Sequence, residues 1–117
     1  MNKKKQRLIK KYPNRRLYDT HSSSYVTLAD IKALVLECEN FAVVDAKSND
    51  DITRTILLQI ILEEESGGIP MFTEPVLAQI IRLYGNAMQS FMGSFLEKNV
   101  QIFSEAQEKF KDNSKTF

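Results

Sequence analysis

The run Ser66-Gly67-Gly68-Ile69-Pro70 constrains this chain more than any other. Glycine loses the most backbone freedom on ordering and proline lacks a donor N–H, so the run interrupts helix and strand alike. Before it, short β-favouring stretches mix with helical ones. After it the spacing is helical, and no proline follows Pro75. The chain therefore reads as an α+β part over residues 6–68 and a helical part over 69–117, with Met1 to Lys5 a disordered basic tail. At 117 residues the core is small, and oligomerisation would help to stabilise it.

Arg7 to Tyr12 reads as a short strand and Arg16-Leu17-Tyr18 as a second, joined at the turn signal Pro13-Asn14 into a hairpin. A polar loop follows, then a brief strand at Tyr25-Val26. Thr27 with Asp30 has the spacing of a capping box. The helix behind it places Ile31, Leu34, Val35 and Cys38 on one buried face. Phe41 to Val44 is a buried strand by pattern. Ser48 with Asp51 repeats the capping signature before a second helix, Ile52 to about Glu65. That helix is apolar on more than one side, at Ile52, Ile56 and Ile60 and again at Leu57, Leu58 and Ile61, which implies a second burial surface in the domain or between subunits.

Thr73-Glu74-Pro75 is a strong helix start, and a helix of three dozen residues or so is expected from there. Leu77, Ile81, Tyr84, Met88, Phe91 and Phe95 step by four and three, a heptad seam. The next step lands on Lys98, so the phase slips, and apolar spacing resumes at Val100, Phe103 and Phe110. Gly85 and Gly93 mark close packing or a kink. The stripe is an oligomer seam or, alternatively, an adaptable apolar surface.

Charge is unevenly distributed. Residues 1–20 carry eight basic side chains against Asp19 alone, +7, and the other 97 residues sum to −6. A focused positive field attracts polyanions. Lys and Arg neutralise phosphates, and Arg can also pair with a guanine edge. Lys3 to Lys5 alone would serve solubility equally well. Arg7, Lys10, Lys11, Tyr12, Asn14, Arg15, Arg16 and Tyr18 are different, because a hairpin concentrates them around a turn, and they are the candidate DNA contacts.

Enzymatic chemistry finds no foothold. Cys38 and His21 are alone of their kinds, so neither a nucleophile with its base nor a zinc set can be built. Asp45, Asp50 and Asp51 read as a strand end and helix cap rather than a metal site. Glu63-Glu64-Glu65 is unfavourable at a helix C-terminus and would repel DNA from its face. Gly67-Gly68 lacks the spacing of a phosphate loop. No cofactor and no metal is expected. The single cysteine fits a reducing cytoplasm, and no apolar run is long enough to span a membrane.

Three segments resemble a known family signature: Arg7 to Thr20, Ser24 to Ile31, and Val44 to Ser48 with Asp51 to Arg54. The later Ile81 to Gly85, Met88-Gln89 and Phe95 to Glu97 are similar to that family's second region. In motif order, over roughly residues 7 to 110, the chain resembles the polyhydroxyalkanoate synthesis repressors, also called polyhydroxybutyrate accumulation regulators. The resemblance implies a repressor of storage and phasin genes that binds double-stranded operator DNA through Arg7 to Asp19. It also implies that the storage polyester draws the protein off DNA, and so a place in the cytoplasm or at the granule surface. The chain departs from the family pattern at Cys38, where a glycine is expected to end the first helix.

The expected architecture is therefore a small α+β domain with a basic β-hairpin and two helices, followed by a long C-terminal oligomerisation helix. Leu77, Ile81, Tyr84, Met88, Phe91, Phe95, Val100 and Phe103 are its candidate oligomerisation or polymer contacts, in a dimer or tetramer. The rival reading is a phasin-like structural protein of the granule surface.

Overall fold

The computed structural model describes residues 6–85 and 87–115, the side chains of 103 and 107–115 excepted. The tail Met1 to Lys5 and the Phe103 side chain thus lie outside the described residues. The chain forms two compact units, Met1–Met71 and Phe72–Phe117.

The first unit is a four-stranded mixed sheet with two helices. β1 (Arg7–Lys11) and β2 (Leu17–Asp19) form the hairpin, and β3 (Ser24–Val26) pairs antiparallel with β2. α1 (Leu28–Leu36) then carries the chain across to β4 (Phe41–Asp45), which lies parallel to β1. The strand order is β3-β2-β1-β4, followed in sequence by α2 (Thr53–Gly67). Strand alternation sends Ile9, Leu17 and Val43 to one face, where they meet Ile31 and Leu34 of α1 and Ile56 of α2 as the buried core.

Thr27 caps α1 as a full capping box with Asp30. The end of α1 differs from the sequence expectation. Val35 and Cys38 are exposed rather than on the buried face, because the helix stops at Leu36 and Cys38 turns to φ 59°. The Cys38 N–H donates to the Val35 carbonyl and the Glu39 N–H to the Leu34 carbonyl. This is a Schellman stop with cysteine in the left-handed position that glycine favours.

The expected cap of α2 by Ser48 and Asp51 is also corrected. An isolated bridge pairs Val44 with Asp51, and the Ile52 N–H donates to the Val43 carbonyl. The chain therefore stays extended through the second aspartate, and Ile52 becomes the N-cap with no side-chain bond. Asp51 Oδ1 instead accepts from the Thr53 amide and hydroxyl, while Thr53 Oγ1 accepts from the Val43 N–H. Ser48 Oγ accepts from the Asp50 N–H. At its far end α2 runs through Ser66 to Gly67 and stops at Gly68, within the run where a break is expected.

In the second unit the single long helix is replaced by two. α3 (Glu74–Leu83) begins at the Thr73 cap with Pro75 in its first turn. Tyr84 leaves helical geometry, with ψ 138°, and Gly85 follows at φ +83°. α4 (Met88–Lys115) then runs for 28 residues. The heptad spacing from Leu77 to Phe95 therefore crosses a turn at Tyr84-Gly85, and a continuous seam is ruled out.

Candidate nucleic-acid interface

The hairpin turn is built from the residues between the two strands. The Arg15 N–H donates to the Tyr12 carbonyl at 2.8 Å, closing a β-turn with Pro13 and Asn14 at its centre. The Tyr12 N–H in turn donates to the Arg16 carbonyl at 2.9 Å, and Asn14 Oδ1 accepts from the Arg16 N–H at 3.0 Å. This three-residue loop needs a left-handed residue at its third position, usually glycine. Here that residue is Arg15, at φ 70°. A side chain in that region costs about 1 kcal/mol or more relative to glycine.

The base of the hairpin is clamped by an ion pair. Arg7 Nε and Nη2 both donate to Asp19 Oδ2, at 3.0 and 2.8 Å. The His21 N–H donates to Oδ1 and the Ser22 hydroxyl to Oδ2. Asp19 is 1% exposed. Burial alone would push its carboxyl up, but the hydrogen bonds from Arg7, His21 and Ser22 together outweigh it and hold the group below its ordinary value. Arg7, a candidate DNA contact by charge, thus has its guanidinium engaged inside the fold.

The other candidates divide between the two faces of the sheet. Lys11 and Arg15 line a groove on the helical side, with Leu17, Leu28, Ile56 and Glu63. Lys10 points to the opposite face by alternation. The register places Val44, Lys10, Tyr18 and Tyr25 in one row across β4, β1, β2 and β3. Tyr18 and Tyr25 meet edge to face with ring centroids 5.3 Å apart, and the Arg16 guanidinium carbon lies 4.0 Å above the Tyr25 ring. Both helices pack on the core face, so this row forms the open side of the sheet. Glu63 lies on the helical side with Lys11 and Arg15, whereas the open row carries basic and aromatic groups without an acid.

Tyr25 is a member of this row that the charge pattern does not single out. The recoverable signal was its position one residue before Val26, which sets it opposite Tyr18 once the third strand pairs with the second.

In the second unit, Leu77, Ile81, Tyr84, Met88, Phe91, Phe95 and Val100 are all exposed. A different set, including Phe72, Ile80, Leu83, Met92 and Leu96, lines an apolar groove of about 430 Å³. Tyr84 belongs to both sets, so the groove adjoins the stripe at that residue.

Comparison with known proteins identifies a family. Residues 8–68 match the PHB/PHA accumulation regulator DNA-binding domain, and residues 72–111 match the PHB accumulation regulatory domain. A protein of Thiocystis violacea, described as an uncharacterized protein in the phbA 5′ region, is 55% identical over 102 residues, 87% of this chain and 74% of its own length. An uncharacterized protein of Allochromatium vinosum is 52% identical over 103 residues, covering 88% of this chain and 67% of that one. No solved structure matches. Among the described residues no group of acidic, histidine or cysteine side chains is placed to hold a metal ion, and no helix is long and apolar enough to cross a membrane. The family is one of regulators rather than of enzymes, and this chain belongs to it: a PHB accumulation regulator whose DNA-binding domain spans residues 8–68.

Proposed function

We propose that the chain is a transcriptional repressor of polyhydroxyalkanoate storage and phasin genes, and that the hairpin tip with the open sheet face engages operator DNA. The observation that carries this reading is Arg15. An arginine occupies a turn position where glycine would be easier, next to Lys10, Lys11 and Arg16, so its side chain compensates for backbone strain by something outside the fold. Lysines at 10 and 11 position the protein on phosphates, while Arg15 and Arg16 approach base edges, as β-ribbon readers do in the major groove. Tyr12, Asn14 and Tyr18 complete the surface, and Tyr25 joins them by holding Arg16. Arg7 serves by fixing the hairpin through Asp19.

Release from DNA is a competition. The storage polyester binds the apolar surface of α3 and α4, at the exposed stripe or the adjoining groove, and favours a state that does not hold operator. A ligand shifts such a balance only by its difference in affinity between the two states. The stripe also brings chains together as a homo-oligomer, which presents two or more hairpins to one operator. The protein divides its time between the cytoplasm and the granule surface.

A gel shift on the region upstream of the chain's own gene, against scrambled DNA, tests this reading. Arg15→Gly relieves the backbone, so any loss belongs to the side chain. Combined with Arg16→Ala it lowers operator affinity by about 100-fold, at roughly 1–3 kcal/mol per base contact. Polyester granules added to the wild-type complex release the fragment. Unchanged operator binding by the double variant, or equal affinity for scrambled DNA, contradicts the reading, and the latter outcome favours the phasin-like alternative.

A further inference from the structure

α2 carries more apolar surface than the first unit buries. Ile56 is 1% exposed and faces the core with Ile60 half-buried beside it, whereas Leu58, Ile61 and Leu62 are 52, 50 and 66% exposed. At 100° per residue, Leu58 and Ile61 sit close to the line opposite Ile56, with Leu57 and Leu62 flanking them on either side. Arg54 and Glu65 fall on that same outward line, one near each end of the helix.

The charges on this face are arranged for a copy of itself. Arg54 makes no ion pair among the described residues. Glu63, Glu64 and Glu65 crowd the C-terminal turns, where the helix dipole disfavours acids. Lys32 lies 2.9 Å from Glu64, and Glu65, half-buried at the end of the helix, accepts the Met71 N–H through Oε2. In an antiparallel pair about a twofold axis between residues 59 and 60, Arg54 of each copy reaches Glu65 of the other. The positive N-terminus of each α2 then adjoins the acidic end of its partner, and Leu58 and Ile61 of both copies meet at the axis. A parallel pair would instead set Arg54 against Arg54 and Glu65 against Glu65. Leu36, one turn beyond Lys32 on the same side of α1 and also exposed, widens the apolar area.

We infer that the outer face of α2 is a self-association surface, on which a second copy of the DNA-binding unit docks antiparallel with Arg54 and Glu65 exchanged across the twofold axis. The contact is isologous, so it closes as a dimer. It is separate from any association through α3 and α4. It takes from the repressor reading only that more than one hairpin engages one operator, and it would hold those hairpins at a fixed separation.

The test uses the full chain without DNA, so its failure leaves the DNA-binding reading standing. Self-association is followed by sedimentation or light scattering over a dilution series. Arg54→Glu and Glu65→Arg each weaken it by tenfold or more, and the double reversal restores it. Arg54→Glu is the cleaner single variant, because Glu65 also receives the Met71 N–H. In a Cys38→Ser background, chains bearing Arg54→Cys mixed with chains bearing Glu65→Cys form disulfide-linked pairs, and neither chain does so alone. Single reversals that leave association unchanged overturn the inference. Pairs formed by Arg54→Cys chains alone overturn the antiparallel arrangement.

Discussion

Three residues carry more of the account than their size suggests. Arg15 and Cys38 both sit at positive φ where glycine is easier, yet they have different uses. Arg15 stands among other cations at a turn, and its strain serves the surface. Cys38 ends α1 and has no such company. Cys38→Gly therefore stabilises the chain by about 1 kcal/mol without changing DNA affinity, as chemical unfolding and gel shift together would establish. Asp19 works through charge. Its folded carboxyl lies below its unfolded value of 3.8, so the stability it contributes is present above that pH and lost as pH falls through the folded value. Asp19→Asn costs about 2 kcal/mol at neutral pH, because Arg7 loses its ion partner. The variant also loses less stability than the wild type as pH falls below 3.8 in acid titrations.

At the scale of elements, the sequence was legible where local chemistry decides and opaque where a distant partner does. Alternation, the Pro13-Asn14 turn and the Thr27–Asp30 box are local, and they gave the hairpin, its strands and the start of α1 correctly. The start of α2 departs from the capping pattern because a backbone bridge from Asp51 to Val44 overrides it, and no spacing rule sees that bridge. The C-terminal helices depart from the expected single helix for a subtler reason. Four-three spacing survives across a turn if the turn has the right length, so the pattern from Leu77 to Phe95 is continuous although Gly85 stands inside it. The sequence marks that glycine as a kink, and its positive φ makes it a break. Gly85→Ala strains that turn by about 1 kcal/mol, so the thermal midpoint of the second unit falls by several degrees. An unchanged midpoint with raised helical content would mean that α3 and α4 fuse. At the interface, charge located the basic hairpin, whereas the division of its residues between two faces, and the place of Tyr25, needed the strand register.

For the whole molecule, two units with different surfaces suit the two kinds of partner that the proposed function assigns. The first presents cations and aromatic rings on an open sheet. The second presents an exposed apolar stripe and a groove. In the proposed function, coupling between them requires only that polymer and DNA favour different states, and oligomerisation multiplies the phosphates reached at once. The central claim is that the open face and hairpin tip make the DNA contact, and counterion release measures it most directly. Operator affinity is titrated against salt for the wild type and for Lys10→Ala with Arg16→Ala, on the fragment upstream of the chain's own gene. If about five phosphates are neutralised, the wild-type log–log slope is near −4 to −5. The account predicts that the double variant makes it shallower by about one, for the phosphate contact of Lys10. A slope unchanged in the double variant would place the DNA contact elsewhere.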